Sequence, residues 1–135
     1  MHPQGLPARN SPMMLRAMIW LACFVPISAG LAGCLTGTRF LGAAGPPAVD
    51  SHLRYLSGLL LGIGVAFAWA AFDLPRRAWI FDVLAPIVVL GGLARLLGLV
   101  LSGPPPLQHL LALVMELAVT PLLWLWVRRA MKADG

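Results

Sequence analysis

The sequence predicts an all-α protein, an antiparallel bundle of four transmembrane helices, and three observations carry that prediction. Hydrophobic residues make up 59% of the 135-residue chain and charged residues only 11%, well below the roughly one quarter of an ordinary soluble domain. The mean hydropathy is +0.84. The apolar residues gather in four runs, each reaching the ~20 residues that a bilayer crossing needs. Four such spans use about 80 residues and leave only short tails and connections, with no room among these residues for a separate soluble catalytic domain.

Taken in order, residues 1–13 (MHPQGLPARNSPM) are rich in Pro and polar groups, lack apolar periodicity and read as a disordered tail. Met1, Met13 and Met14 are all candidate starts. Residues 14–129 form the membrane domain, with spans at 15–35, 52–72, 78–101 and 107–127, and residues 130–135 are a second short tail. Between the spans lie the Gly/Pro/Ala stretch Thr36 to Val49, the tight connection Asp73 to Arg77, and Ser102-Gly103-Pro104-Pro105-Pro106. These read as loops, because proline has no N–H with which to continue a helix.

Charge placement predicts orientation. Arg9 and Arg16 precede the first span, Arg76 and Arg77 join the second to the third, and Arg128, Arg129 and Lys132 follow the fourth, whereas Arg39 lies in an opposite-side loop. Cytoplasmic loops collect Lys and Arg, so both termini and the central loop are expected in the cytoplasm. The five Trp residues (Trp20, Trp69, Trp79, Trp124 and Trp126) fall near that same side, where amphipathic rings favour the headgroup layer. The basic balance, pI near 10.7, is therefore topological. Nucleic-acid binding needs cations gathered on a polar surface, and here they sit at the ends of apolar runs.

Cys23 and Cys34 are eleven positions apart on one predicted helix, about 16 Å along its axis, which excludes a disulfide while that helix is intact. Both read as small apolar packing residues. Leu31-Ala32-Gly33-Cys34 also has the look of a lipidation signal with Cys34 as acceptor. The apolar segment is longer than the ~7 to 15 residues of a signal core, and three further spans make an anchor redundant, so the first span is expected to be retained.

Three ionisable residues fall inside apolar runs: Arg54, Arg95 and Glu116. Measured from the non-cytoplasmic helix ends at 1.5 Å per residue, Arg54 lies a few ångströms deep, Arg95 about 10 Å and Glu116 about 14 Å. Charges at such depth normally face the bundle and pair with one another. Arg95 and Glu116 are the natural pair, on neighbouring antiparallel helices, with Arg54 expected close enough to share the carboxylate or to bind an anionic headgroup. Asp50, Arg54, Gly58, Gly62 and Ala66 recur every fourth residue, a narrow face of charge above small residues. Gly58 to Gly62 and Gly33 to Gly37 are two GxxxG spacings, the pattern that lets membrane helices approach closely. In the third span Asp82, Val89, Gly92, Arg95 and Leu99 share a stripe, as do His109, Glu116, Thr120 and Leu123 in the fourth.

His52 and His109 sit at helix starts. They read as interfacial residues, the sharper alternative being a pH-sensitive partner of Glu116. Neither has ligands at metal-binding spacing, so no zinc site is expected. No phosphate-binding loop appears, and Ser28, Ser51, Ser57 and Ser102 lack the context of a nucleophile.

The segment Asp50-Ser51-His52-Leu53-Arg54-Tyr55-Leu56-Ser57-Gly58, with Leu61-Gly62-Ile63-Gly64, Leu93-Ala94-Arg95-Leu96, Ser102-Gly103-Pro104 and Glu116, resembles a family of small four-helix integral membrane proteins from bacteria, the domain of unknown function DUF4345. The resemblance covers about residues 15 to 130. It implies the same topology, a bacterial inner membrane and an uncleaved first helix, and it marks positions equivalent to Arg95, Gly103, Pro104 and Glu116. The family often carries an acidic residue where this chain has Ser102. It supplies no activity.

The function expected from these readings is non-enzymatic: a multi-pass inner-membrane protein that binds a lipid, a small ligand or another membrane protein through Arg54, Arg95 and Glu116, with Asp50, His52 and His109 as additional candidates. The alternative is a small proton- or ion-coupled carrier, whose transport path would lie between subunits of a homo-oligomer. Membrane lipids are expected partners, nucleic acid is not, and no cofactor is expected.

Overall fold

The computed structural model describes residues 11–135, so residues 1–10 of the expected N-terminal tail lie outside the described residues. Four helices are long and apolar enough to cross a membrane, and no strand is present among the described residues. Helix α1 runs Ser11–Thr36, a 3-10 turn follows at Gly37–Leu41, and α2 runs Pro47–Phe72. The short helix α3, Leu74–Arg77, leads into α4, Trp79–Ser102. The last span is composite: α5 at Leu107–Val114, a π-helical turn at Met115–Val119, and α6 at Thr120–Ala133.

Element boundaries differ from the sequence reading for local reasons. Helix α2 begins five residues before His52 because Pro47 occupies its first turn, where the missing N–H has no intrahelical partner to lose. The segment Gly37–Leu41 is helical rather than loop, since Gly37 (φ +58°) turns the chain out of α1 and the left-handed Gly42 (φ +101°) closes the 3-10 turn. Arg128, Arg129 and Lys132 lie on α6, which continues to Ala133.

The chain folds as two hairpins, α1 with α2 and α4 with α5–α6. The first is tightly interlocked through glycines of α1. A Cβ on Gly30 would lie 2.7 Å from the backbone N of Leu61 and 2.8 Å from the carbonyl O of Ser57, and one on Gly33 would collide with the Ser57 side chain. From α2, Gly64 returns the contact, because a Cβ there would meet Ile27 at 2.9 Å. The face of α2 carrying Gly58 and Gly62 is not the packing face: a Cβ on Gly58 would find only Cys34 Sγ at 3.8 Å, and one on Gly62 would find nothing within 4 Å. The expected helix-packing role therefore belongs to Gly30, Gly33 and Gly64, on stripes that the glycine spacing alone does not distinguish.

The two hairpins meet mainly at the end of the bundle that holds both described chain ends. Leu15, Ile19, Cys23, Phe67, Ala71, Leu74, Ile80, Phe81 and Val127 form one buried cluster there. Aromatic and cationic groups ring it. Trp20 and Phe72 meet edge to face at 4.6 Å between ring centroids. The Arg77 guanidinium lies 4.1 Å from the Trp69 ring and donates to the Trp69 carbonyl at 2.9 Å, a favourable cation–π geometry. Trp124 Nε1 donates to Asp82 Oδ1 at 2.7 Å, with Arg128 3.6 Å from the same oxygen. Toward the opposite, distal end a cavity of about 130 Å³ lies between the hairpins.

Candidate functional site

The distal half of the second hairpin holds the pair expected from depth. Arg95 Nε donates to Glu116 Oε2 at 3.0 Å and Arg95 Nη2 donates to Glu116 Oε1 at 3.1 Å, a two-point match between a planar guanidinium and a carboxylate. The remaining Nη1 donates to His109 Nδ1 at 3.0 Å. An arginine has no lone pair to offer, so this ring nitrogen is the acceptor and the imidazole proton resides on Nε2. His109 is thus a partner of Arg95 rather than of Glu116.

Two local devices bring the charges together. Gly92, one turn before Arg95, has no side chain to separate α4 from the last span, and a Cβ there would lie 2.8 Å from Glu116 Cβ and from Leu117 Cδ2. Glu116 itself sits in the π turn. Thr120 Oγ1 donates to the Met115 carbonyl at 2.9 Å, and the Thr120 backbone N–H reaches the same oxygen. Pro121 follows immediately. In a continuous α-helix its ring would clash with the Leu117 carbonyl and leave that carbonyl without a donor. The wider π turn just before it makes room, and such turns recur at functional sites. Sequence reasoning placed Gly92 and Thr120 on the polar stripes without these roles; the Thr120-Pro121 pair inside an apolar span was the available signal.

Arg95 and Glu116 form part of the wall of the cavity. The rest is largely apolar, with Val25, Pro26 and Ala29 from α1, Leu60, Ile63 and Phe67 from α2, Val88 from α4, and Ala112, Met115 and Leu123 from the last span. Pro26 interrupts α1 beside the cavity and leaves the Ala22 carbonyl without its usual helical donor.

Arg54 does not join this cluster. Its Nε donates to Asp50 Oδ2 at 2.7 Å and its Nη1 donates to the Cys34 and Leu35 carbonyls at 2.7 and 3.2 Å. Asp50 Oδ1 in turn accepts from the Thr38 backbone N–H at 2.8 Å and from its hydroxyl at 3.2 Å, and the Thr38 oxygen accepts from Gly45 N at 2.8 Å. This is a clasp: the last carbonyls of α1 and the first N–H groups of the 3-10 turn, which helix geometry leaves unpaired, are taken up by two side chains of α2. Gly37 is enclosed in it, since a Cβ there would collide with Asp50 and lie 2.7 Å from Arg54 Nη2. Cys34 lies in the last turn of α1, with Sγ 3.8 Å from the Arg54 carbonyl, and Cys23 is buried among the core residues. His52 is exposed on α2.

Four apolar spans packed as two hairpins, one carrying an ion pair within its apolar length, define a multi-pass membrane protein. Within that class its place is specific, because residues 14–127 match the domain of unknown function DUF4345 and the chain belongs to that family. No curated protein and no solved structure matches it.

Proposed function

We propose that the protein is a non-catalytic binder of a membrane-soluble amphipathic molecule, whose polar end enters the half-open cavity between the hairpins and meets Arg95 and Glu116 while its chain extends into the surrounding lipid. The observation that carries this reading is the composition of the cavity wall: nearly all of it is aliphatic or aromatic, and its charged residues are that pair. Small-molecule sites have this make-up, a mostly apolar lining with a few placed polar groups. Binding is favoured over turnover because the polar groups are already occupied. Glu116 is engaged at both oxygens by Arg95 and is not free as a general base, and the Thr120 hydroxyl proton is given to a backbone carbonyl rather than to a base that would activate it.

In the same reading the protein lies in the inner membrane of a bacterium, with both termini and the α2–α4 connection in the cytoplasm. The support is that Arg76, Arg77, Arg128, Arg129 and Lys132 gather at the chain-terminal end, whereas the distal end carries Arg39 and an Arg54 that is held by Asp50. Lipid molecules are its immediate surroundings, since large apolar side chains such as Phe24, Leu35, Leu90, Val100 and Leu122 are exposed on the helix exteriors.

The test is extraction of the whole chain directly into lipid particles, followed by mass spectrometry of co-purifying molecules from the native protein and from Ala112→Phe, which fills the cavity. A species enriched over bulk lipid in the first and lost in the second is expected. Identical profiles from the two would overturn the binding reading.

A further inference from the structure

We infer that the occupant of this cavity carries an uncharged, hydrogen-bond-accepting head, of the kind found in a long-chain alcohol, ketone or ester, rather than an anionic phosphate or carboxylate. The inference rests on the binding reading above and specifies the chemistry of the same site.

Charge disfavours an anionic head. An arginine in a membrane cavity ordinarily reads as an anion receptor, but this one is already neutralised. Its guanidinium has five N–H bonds. Two go to Glu116 and one to His109, so two N–H bonds remain for a ligand. They can serve a carbonyl or hydroxyl oxygen. An anion reaching for the same N–H bonds would approach the Glu116 carboxylate, whose oxygens lie 3.0 and 3.1 Å from that guanidinium, and the repulsion would act in a poorly screened, low-dielectric setting.

Depth disfavours it as well. Arg95 lies seven residues before Ser102, the last residue of α4, which places it about 10 Å below the distal end of the helix. A phosphate drawn to it would have to leave the headgroup layer and shed its water, whereas a hydroxyl, ketone or ester oxygen pays far less to reach that level. The aliphatic wall formed by Val25, Leu60, Ile63 and Val88 then receives the carbons next to the head, and the rest of the chain leaves the cavity of about 130 Å³ for the lipid.

The experiment uses the full chain in lipid particles and three photoactivatable probes with a diazirine at the same carbon near the head end of the chain: hexadecane, hexadecanol and hexadecyl sulfate. Labelled residues are mapped by mass spectrometry. Hexadecanol is expected to label the cavity segments of α1 and α4 roughly tenfold more than either other probe, the ratio that corresponds to one hydrogen bond to a charged donor. In Glu116→Gln, which exposes an uncompensated guanidinium, the preference should shift to hexadecyl sulfate. In the double variant Arg95→Met with Glu116→Leu, which retains the volume without the charges, hexadecanol should lose its advantage over hexadecane. Equal labelling by all three probes in the native protein, or a preference for the sulfate, overturns the inference while leaving a binding cavity in place. Failure of every probe to label the cavity removes the binding reading itself.

Discussion

Replacing Glu116 with Gln is the most informative single perturbation of the fold. The carboxylate side chain is 17% exposed and that of Arg95 33%, so the pair is mostly withdrawn from solvent even before lipid surrounds it. Removing one partner of a buried pair typically costs about 3 to 5 kcal/mol, because the other charge is left uncompensated. Gln retains one carbonyl oxygen able to accept from the guanidinium, which places the expected loss near the lower limit, about 3 kcal/mol, or roughly a hundredfold in the unfolding equilibrium. Arg95→Met is expected to be milder. A stranded carboxylate can take up a proton, whereas a stranded guanidinium cannot lose one. The double variant Arg95→Met with Glu116→Leu removes both charges and is expected to recover most of the loss, giving a coupling of about 2 kcal/mol or more in a double-mutant cycle. The measurement is reversible unfolding in mixed micelles titrated with a denaturing detergent, followed by helical circular dichroism. Additive single-variant effects, with coupling below about 0.5 kcal/mol, would refute the pairing.

Four further outcomes are expected. In the same unfolding assay Gly30→Ala should cost about 1 to 3 kcal/mol, since its Cβ would press on the α2 backbone at 2.7 to 2.9 Å. Gly62→Ala, with nothing within 4 Å, should be neutral or stabilising by up to about 1 kcal/mol through helix propensity. Asp50→Asn should leave global stability within about 1 kcal/mol, because the Asp50–Arg54 pair is substantially exposed; amide exchange from Thr38 to Gly45 should nevertheless quicken as the clasp loosens, and unchanged exchange would count against the clasp. For topology, a periplasm-dependent phosphatase reporter should be silent after Gly135 and active when inserted between Gly103 and Pro106; the reverse pattern would invert the proposed orientation.

The four spans were legible because bilayer thickness imposes length and hydropathy together, and no other fold makes that combined demand on so short a chain. The Arg95–Glu116 pair was legible for a related reason: two opposite charges at similar depth on consecutive antiparallel helices have few other places to go. Depth, however, does not give the direction in which a side chain points around its helix. That is why Arg54 was expected beside Glu116 and is instead turned toward the end of α1, where Cys34 and Leu35 offer open carbonyls. The same limit governed the glycines. A GxxxG spacing specifies a smooth stripe on a helix without naming the neighbour, and Gly33 lies on a contact face while Gly58 and Gly62 do not. The π turn shifts the phase of the last span midway, so a uniform 3.6-residue period could not describe it.

The confinement of every ion pair among the described residues to one side of the inter-hairpin boundary has a consequence for how the protein enters its membrane. Asp50 with Arg54 belongs to the first hairpin, while Arg95 with Glu116 and Asp82 with Arg128 belong to the second; Asp73 with Arg76 lies in the connection. Each helical hairpin can therefore leave the insertion machinery with Arg95 and Glu116, or Asp50 and Arg54, already paired within it, without waiting for a counter-ion from the other. Across the boundary the contacts are those of Leu15, Ile19, Phe67, Phe81 and Val127, which carry no such electrostatic constraint. Biogenesis can thus proceed as two independent insertions followed by lateral docking of the two hairpins within the lipid.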